Sequence, residues 1–434
     1  MIDGELPRTL AAELGASPGA RVRLCGWAHA VESSLDPKVV ILRDHTGLAE
    51  LVVNTRASLG NAMDGIVPES AIEAVGAVDE GAHGEARVAV ERLDVVAPAL
   101  GALPIGESSS LEERLDWRYL DLRRPRNRLI FEVQTTVLST LREVWYEQGF
   151  MELQSPKLRP IPNKSGTTLF SVDHFGRRAY LAQSPQFYKQ MAMAAGFDRV
   201  FEVGPVFRPQ PRKSSRHDTE FTSIDVEISW IRSHEDLLEH AEELLRRVIL
   251  AVRAQHGERI VRWFGVELAL PSTPFPRVTL AEAKRLVEAT GWSAGGPSDD
   301  LDAEGERRVA RHVADQHGHE FVFVTDYPEP ARPFYHMRCT EDSLETRSFD
   351  LIWNGLEIMS GAQREHRHGR LLEQARARGI PIEVIGQYLD FFRFGSPPHG
   401  GFGLGLTRLI MSMLGVGDVR EATYLFRGPD RLTP

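Results

Sequence analysis

The alternation of hydrophobic and polar positions divides the chain into a strand-rich first part and a longer part in which strand and helix patterns follow one another. Up to about residue 105 the apolar runs are short and end at glycine-containing turns, as in "RVRLCGWAHAV", "KVVILRDHTGLAELVVN" and "GEARVAVERLDVV". Such runs are typical of β-strands. A five-stranded barrel of the OB type fits this length, and we predict it for residues 1–105.

A segment rich in alanine, glycine, proline and serine, "APALGALPIGESSS", follows the barrel pattern and is typical of a linker. We predict a linker or hinge over 106–130 and a second domain over 131–434, with a helical stretch beginning at "LEERLDWRYLDLRR". Apolar side chains then recur at intervals of three and four residues: Ile130, Val133, Val137, Leu141 and Trp145. This spacing predicts one buried face of a helix, which we expect to end at Gly149.

From residue 151 onward, strand patterns outnumber helical ones. The runs "AYLAQSP", "RVFEVGPVFR", "FTSIDVEISWI" and "FVFVTDYP" predict strands, and "SHEDLLEHAEELLRRVILAVRAQHG" predicts a helix with Ser233 as its N-cap. Strand runs with few helices between them favour a mixed, mainly antiparallel sheet flanked by helices over a dinucleotide-binding βαβ fold. The predicted fold class is therefore α+β.

Composition narrows the class of protein. With 434 residues, 42% of them hydrophobic and 26% charged, the chain is typical of a globular protein with two or three domains. It has no apolar run long enough to span a membrane and no secretory signal pattern, so we expect a cytoplasmic protein without a membrane partner. Cys25 and Cys339 match no metal-binding spacing and are expected to be reduced thiols.

Positive charge is concentrated in one short segment of this acidic chain. The net charge is −10, yet "FRPQPRKSSRHDTEF" joins two strand patterns and carries five basic groups: Arg208, Arg212, Lys213, Arg216 and His217. A local basic cluster at a turn between strands indicates a bound polyanion, because the overall charge does not favour general binding to nucleic acid.

Glycines and carboxylates mark two further segments. "HGGFGLGLTRLIMSML" places Arg408 at the start of an apolar helix, after glycines that would let a phosphate approach the backbone. The spacing of these glycines matches neither the Rossmann nor the Walker motif. A tightly packed turn between a strand and a helix explains the glycines equally well. "SFDLIWNGLEIMSGAQREH" carries Asp350, Glu357 and Ser360, whose oxygens could converge on Mg²⁺ from adjacent strands. The alternative for these three residues is a solvated strand face.

Taken together, these segments resemble the signature motifs of the class II (subclass IIb) aminoacyl-tRNA synthetases, and closely those of the aspartyl-tRNA synthetases of the compact archaeal/eukaryotic type. "GFMELQSPKL" is similar to motif 1, "GPVFRPQPRKSSRHDTEF" to motif 2 and "GFGLGLTRL" to motif 3. "QSPQFYKQM", "DWRYLDLR", "EIMSGAQREH" and the terminal "RLTP" add to the resemblance, which covers almost the whole chain. "SPQFYK" favours the aspartyl over the asparaginyl branch.

The resemblance implies an enzyme that uses ATP and Mg²⁺ to activate aspartate as an acyl-adenylate. Arg208 would contact the α-phosphate, Arg216 and His217 the outer phosphates, and Arg408 the γ-phosphate, with Arg208 and Arg408 as the catalytic pair. The full implied ATP set is Arg208, Arg216, His217, Asp218, Phe221, Glu357, Gly405 and Arg408, with Phe221 stacked on adenine. The implied metal ligands are Asp350, Glu357 and Ser360.

The resemblance also implies an amino-acid site. Lys189 and Arg364 would grip the side-chain carboxylate, while Gln186 and Asp225 would hold the α-ammonium group. The full implied set is Lys164, Ser184, Gln186, Lys189, Arg208, Asp225, Ser360 and Arg364. Further implications are tRNA as acyl acceptor, an anticodon-binding role for the barrel, and a homodimer formed through motif 1.

Several positions depart from the family pattern. Lys164 stands where a Glu usually contacts the α-ammonium group, Gln210 replaces a motif 2 Glu, and Thr407 replaces the Glu before the motif 3 Arg. In the barrel, Val39 stands where a base-stacking Phe is common, and residues 1–105 hold 8 Lys and Arg against 15 Asp and Glu. Phosphate neutralisation dominates nucleic-acid affinity, so this barrel is poorly equipped to bind an anticodon unless other charges on its face compensate.

Three hypotheses remain at this point. The first is an aspartate–tRNA ligase, discriminating or not between the tRNAs for aspartate and asparagine. The second is a diverged paralogue that adenylates another carboxylic or amino acid, or uses a different acceptor, as Lys164 suggests. The third, a non-catalytic nucleotide-binding regulator, is disfavoured because the basic and acidic motif residues are retained.

Overall fold

The computed structural model describes residues 6–16, 18–32, 37–54, 66–81, 85–160, 169–211, 213–293, 295–296 and 299–434. The chain forms two units, Met1–Ser109 and Ser110–Pro434. Much of the segment predicted as a linker, 106–130, is helical, with short helices at Leu111–Asp116 and Arg118–Asp121. The finer domain limits given above stay predictions.

The first unit contains a closed barrel with strand order β1-β2-β3-β5-β4, as predicted. The strands are β1 (Arg21–Glu32), β2 (Lys38–Arg43), β3 (Leu48–Val53), β4 (Ala71–Glu80) and β5 (Ala86–Ala97). All pairs are antiparallel except β3 with β5. Alternate side chains such as Val22, Leu24 and Leu51 point into the barrel and are buried, which is the period-two pattern that the sequence shows.

The second unit is built on an eight-stranded sheet of order β12-β13-β14-β15-β16-β11-β10-β6. Its strands are β6 (Met151–Glu152), β10 (Arg199–Phe207), β11 (Glu220–Ser229), β12 (Arg277–Thr279), β13 (Phe321–Thr325), β14 (Ser348–Trp353), β15 (Leu356–Arg364) and β16 (His399–Gly405). Only the outer pairs, β12 with β13 and β6 with β10, are parallel. The prediction of a mixed, mainly antiparallel sheet is confirmed.

A three-stranded sheet and helices surround this sheet. The small sheet consists of β7 (Leu158–Arg159), β9 (Arg177–Leu181) and β8 (Ser171–His174). The helices are α1 (Leu111–Asp116), α2 (Arg118–Asp121), α3 (Pro125–Glu147), α4 (Gln186–Ala194), α5 (Glu235–Phe264), α6 (Leu280–Ala289), α7 (Ala303–His317), α8 (His368–Ala377), α9 (Ile382–Asp390), α10 (Leu406–Leu414) and α11 (Val419–Ala422). No helix in the described part of the chain combines the length and the apolar content that crossing a lipid bilayer requires.

The two long helices, α3 and α5, pack together over one face of the sheet. All five apolar positions that predict α3 are completely buried in the main core. The start and end of α5 differ from the prediction: His234, not Ser233, is the N-cap, and the helix continues past Gly257 to Phe264. Ile260 extends the buried stripe by two turns, which explains why the helix continues until Gly265 adopts the left-handed conformation.

Candidate active site

Four neighbouring strands place one row of chemically useful residues across the sheet. Asp225 of β11 pairs with Gly403 of β16, Gly403 pairs with Ser360 of β15, and Ser360 pairs with Asp350 of β14. Residues paired in this way lie on the same face of a sheet. The segments that the sequence singles out separately therefore form one floor.

A glycine in β16 allows the close packing of this floor. A Cβ at Gly401 would lie 1.9 Å from the carbonyl oxygen of Val226, so no larger residue fits without moving a strand. The Gly401 carbonyl in turn accepts a hydrogen bond from Arg364 Nη2 at 2.8 Å. The glycine-rich motif thus has a structural role in addition to any contact with a ligand.

A cavity of about 680 Å³ opens above the floor. Thirteen of the sequence-predicted site residues line it: Ser184, Gln186, Arg208, Arg216, His217, Asp218, Phe221, Asp225, Glu357, Ser360, Arg364, Gly405 and Arg408. Lys189 and Asp350 do not line it and instead contact residues beneath its surface. Lys164 lies outside the described residues.

Three arginines line the cavity close to one another: Arg208, Arg216 and Arg408. Arg208 donates to the Gln183 carbonyl oxygen at 3.3 Å and lies over the Phe221 ring at 5.2 Å, while burial lowers the pKa of its guanidinium. Arg408 Nη1 donates to the Glu357 carboxylate at 3.0 Å and to the Glu357 carbonyl at 2.9 Å. Arg408 Nε also reaches the Arg216 carbonyl oxygen at 3.3 Å, which connects motif 2 to motif 3.

The electrostatic field of these arginines acts on His217. Burial, reinforced by Arg408 and Arg216, lowers the pKa of His217 to about 4. The ring is therefore neutral at neutral pH, and its Nδ1 lies 2.9 Å from the Ser214 hydroxyl oxygen. A neutral imidazole can donate one hydrogen bond to a phosphate without adding charge.

The neighbouring Asp218 shows the opposite behaviour. Burial raises the pKa of its carboxyl group to about 7, although the Thr423 hydroxyl donates to it at 2.8 Å. Near neutral pH this acid is therefore divided between its neutral and charged forms. Its negative charge is poorly tolerated beside a second acid, Asp418, which also raises its pKa.

Two cations and two carboxylates form a buried network next to the cavity. Lys189 Nζ lies 3.1 Å from Asp225 Oδ1 and 3.3 Å from Glu227 Oε2. Arg364 Nε donates to Glu227 Oε1 at 3.0 Å, and its Nη1 lies 3.1 Å from Nε2 of His336. Burial alone would raise the pKa of Glu227, but Arg364 and Lys189 outweigh it and hold that pKa below its usual value.

Asp350 forms an ion pair with Arg332 inside the protein. Arg332 donates to its Oδ2 at 2.5 Å, reaches the Ser360 hydroxyl at 3.5 Å, and lies over the Tyr327 ring at 3.5 Å. Among the described residues, no group of three or more His, Cys, Asp and Glu side chains converges as a metal site would. Glu357 and Ser360, by contrast, line the cavity and offer the oxygen ligands that suit Mg²⁺ when phosphate oxygens complete its shell.

Sequence reasoning missed three residues of this site: Glu227, Glu306 and Arg332. Each pairs with a predicted site residue, but the partner is distant in the sequence, as in the 137-residue separation of Glu227 and Arg364. Glu227 was the most accessible to prediction, because an acid at an inward position of the strand "FTSIDVEISWI" needs a buried cation. Nothing in the sequence around Glu306 distinguishes it from a solvated helix acid.

Comparison with known proteins places this geometry in a family. A family model described as tRNA synthetases class II (D, K and N) matches residues 110–427. The chain is 39% identical over 425 residues to the Aspartate–tRNA(Asp/Asn) ligase of Aeropyrum pernix, with 96% of each protein covered. The chain belongs to the class II tRNA synthetases of the D, K and N group.

Other relatives and solved structures of class II tRNA synthetases agree. The Aspartate–tRNA(Asp/Asn) ligase of Deinococcus radiodurans is 37% identical, with 99% of each protein covered. The asparaginyl-tRNA synthetase of Pyrococcus horikoshii complexed with asparaginyl-adenylate superimposes with a TM-score of 0.91 at 29% identity over the whole of both chains. The aspartyl-tRNA synthetase of Entamoeba histolytica gives a TM-score of 0.88 at 28% identity, covering 100% of this chain and 94% of that one.

Membership has direct consequences for the class of activity. Class II tRNA synthetases are aminoacyl-tRNA ligases that use ATP. The family assignment made from the sequence motifs is confirmed. The role of each individual side chain stays a prediction.

Proposed function

We propose that this protein is an aspartate–tRNA ligase that activates aspartate with ATP and Mg²⁺ and charges the tRNAs for aspartate and asparagine. The observation that carries the proposal is that one cavity is lined by Arg208, Arg216 and Arg408 and also by Arg364 of the Lys189–Arg364 network. The names of the two ligases from Aeropyrum and Deinococcus, which assign aspartate and tRNA(Asp/Asn) to those proteins, support the choice of substrate.

The first step would be attack of the aspartate α-carboxylate on the α-phosphorus of ATP. The new oxygen–phosphorus bond forms as the bond to pyrophosphate breaks, which gives the aspartyl-adenylate and free pyrophosphate. A carboxylate is already ionised at neutral pH and needs no general base. Catalysis would therefore consist of positioning and of charge neutralisation by Arg208 and Arg408.

Arg364 would favour a substrate with an acidic side chain. Lys189 and Arg364 are already paired with Asp225 and Glu227, so the preference would come from the N–H donors of Arg364 at the cavity wall and not from a net positive charge. A substrate carboxylate would reach Arg364 at the cavity wall, while the α-ammonium group would be held by Gln186 and Asp225. Asparagine would lose the charge-assisted bond to Arg364, which favours aspartate.

Glu357 and Ser360 would hold Mg²⁺, which supplies positive charge to the phosphate oxygens when bound. Asp350 would contribute indirectly, because it fixes Arg332 beside Ser360.

The remaining elements of the proposal are transfer of the aspartyl group to a terminal tRNA hydroxyl with release of AMP, a homodimer formed through motif 1, and a cytoplasmic location.

The test is an aspartate-dependent exchange of labelled pyrophosphate into ATP. We expect robust exchange with L-aspartate and at least tenfold less with L-asparagine at equal concentration. Arg208→Ala should reduce exchange at least a hundredfold, as expected for loss of a group that stabilises developing charge. Arg232→Ala removes an arginine that is 87% exposed and outside the cavity, so it should leave exchange unchanged.

Lys164 supports a second candidate function, adenylation of a different acid. A cation at the position of the usual Glu would repel an α-ammonium group. A panel of amino acids and dicarboxylates without an amino group, run in the same exchange assay, separates the two candidates. Higher exchange with a dicarboxylate than with L-aspartate would contradict the ligase proposal and favour the second one.

A further inference from the structure

A carboxylate from outside the sequence motifs holds Arg216. Glu306, in the first turn of α7, accepts a hydrogen bond from Arg216 Nη2, and the same Oε2 accepts the backbone N–H of Glu357 at 3.0 Å. The side chains of Arg216 and Glu306 are only 16% and 12% exposed. Shielding from water makes this pair a stronger restraint on Arg216 than a surface ion pair would be.

The helix that carries Glu306 is itself fixed. Asp302 caps its N-terminus through a side-chain oxygen, and one face of the helix packs into a hydrophobic cluster against β13 and β14. The turn between β14 and β15 approaches it so closely that a Cβ at Gly355 would lie 3.0 Å from the Cα of Arg307. Glu306 is therefore a carboxylate on a rigid support beside the cavity.

The contact uses only one edge of the Arg216 guanidinium group. Its described hydrogen bonds all come from Nη2, which reaches Glu306 and, at 3.4 Å, the Gly355 carbonyl oxygen. Within the described ranges, Nε and Nη1 have no hydrogen-bond partner, and Arg216 lines the cavity. Because the five N–H donors of arginine lie in one plane, fixing one edge also fixes the direction of the other.

We propose that Glu306 is a positioning residue for ATP, holding Arg216 by one edge so that its Nε and Nη1 donors face the outer phosphates. This inference rests on the proposed function, which assigns those phosphates to Arg216. A carboxylate that competed with the phosphates would itself line the cavity; Arg216 lines it and Glu306 does not. Glu306 also offsets the repulsion among Arg208, Arg216 and Arg408, which are close enough to act together on His217.

The test compares Glu306→Ala and Glu306→Gln with a matched control, Glu304→Ala. Glu304 lies in the same helical turn and pairs with Arg307 and Arg308. Glu304→Ala therefore removes one negative charge from the first turn of α7, as Glu306→Ala does, but leaves Arg216 in place. We expect Glu306→Ala to weaken ATP binding, measured by calorimetry, about tenfold, and to raise the KM for pyrophosphate in the exchange assay by a similar factor. AMP affinity and the KM for aspartate should not change, because neither ligand carries outer phosphates.

Two further comparisons distinguish a positioning role of Glu306 from a structural one. Glu306→Gln retains an acceptor oxygen and should restore part of the ATP affinity. In an Arg216→Ala background, Glu306→Ala should have no additional effect, since the residue through which it acts is gone. Thermal unfolding without ATP confirms that each variant is folded.

Three outcomes would overturn the inference. Tighter ATP binding by Glu306→Ala would make Glu306 a competitor, and equal losses for ATP and AMP would make it merely structural. A persisting loss in the Arg216→Ala background would show that Glu306 acts through Glu357. The two proposals can fail separately: if the wild-type protein does not exchange with aspartate, but Glu306→Ala loses affinity for ATP and not for AMP, the proposed substrate is refuted and the role of Glu306 stands.

Discussion

Asp218 is a carboxylic acid buried beside the cavity, and its environment determines a pH dependence of folding. Its pKa is about 7 in the folded protein, against an ordinary value of 3.8. The folded state therefore keeps this proton between about pH 4 and 7, where the unfolded state has lost it. Because the folded state binds more protons, this group makes the free energy of unfolding decrease as pH rises through that window.

Asp218→Asn should remove this decrease. An amide has no proton to lose, so the variant should gain stability relative to wild type as pH rises from 4 to 7, with an upper limit of about 4 kcal/mol. Urea unfolding at half-unit pH steps measures the difference, and subtraction cancels the titration of His217. Asp390→Asn, at a residue that is 57% exposed, is the control and should show no such trend. A pH-independent difference for Asp218→Asn would contradict the assignment.

At the scale of elements, β16 depends on the absence of a side chain at Gly401. Gly401→Ala would place a Cβ 1.9 Å from the Val226 carbonyl oxygen and force β16 away from β11. We expect a loss of more than about 3 kcal/mol in the free energy of unfolding, because both strands carry site residues and are buried.

Gly403→Ala in the same strand provides the comparison. The nearest described atom to its Cβ would be Asp225 Oδ1 at 3.4 Å, which is an ordinary contact. Denaturant unfolding should therefore show Gly403→Ala far closer to wild type than Gly401→Ala. If Gly401→Ala were as stable as Gly403→Ala and the wild type, the strands would be able to separate locally at little cost in free energy.

The elements also show what periodicity can and cannot predict. The five spaced apolar residues of α3 predict it well, because a long helix buries a regular stripe. Strands β6 and β12 have two and three residues, too few for any period to be visible, so their parallel pairing at the sheet edges could not be predicted.

For the whole molecule, the cavity belongs entirely to the second unit. The residues that line it lie between Gln183 and Val419. A fragment of residues 110–434 should therefore retain aspartate-dependent pyrophosphate exchange within about threefold of the full chain, because no cavity-lining group is lost. Aminoacylation of tRNA by the fragment should be much weaker if the barrel contributes to tRNA binding.

Both reactions should be measured on the same preparations, with circular dichroism to confirm that the fragment is folded. Loss of exchange by a folded fragment would mean that the barrel is needed for activation itself. Undiminished aminoacylation would mean that the acidic barrel, with 8 Lys and Arg against 15 Asp and Glu in residues 1–105, does not bind the acceptor tRNA.

The sequence predicts those residues of the candidate site that lie in contiguous motifs. Arg208, Arg408 and Glu357 lie in such motifs, and the structure brings all three to one cavity. Residues that act through a partner were not predictable, since Arg216 and Glu306 are 90 positions apart and meet only through tertiary packing. The burial of Lys189 beneath the cavity surface likewise depends on the position of α4 against β11.

The row formed by Asp225, Gly403, Ser360 and Asp350 limits how this site can evolve. The four members share one face of the sheet, so exchanging one side chain can alter the chemistry of the floor while the pairing of the strands is kept. Deleting or inserting a single residue within β15 or β16 would turn every following side chain to the opposite face. New substrate preferences in this lineage should therefore arise by replacement within these strands, while changes in chain length accumulate in the connecting segments.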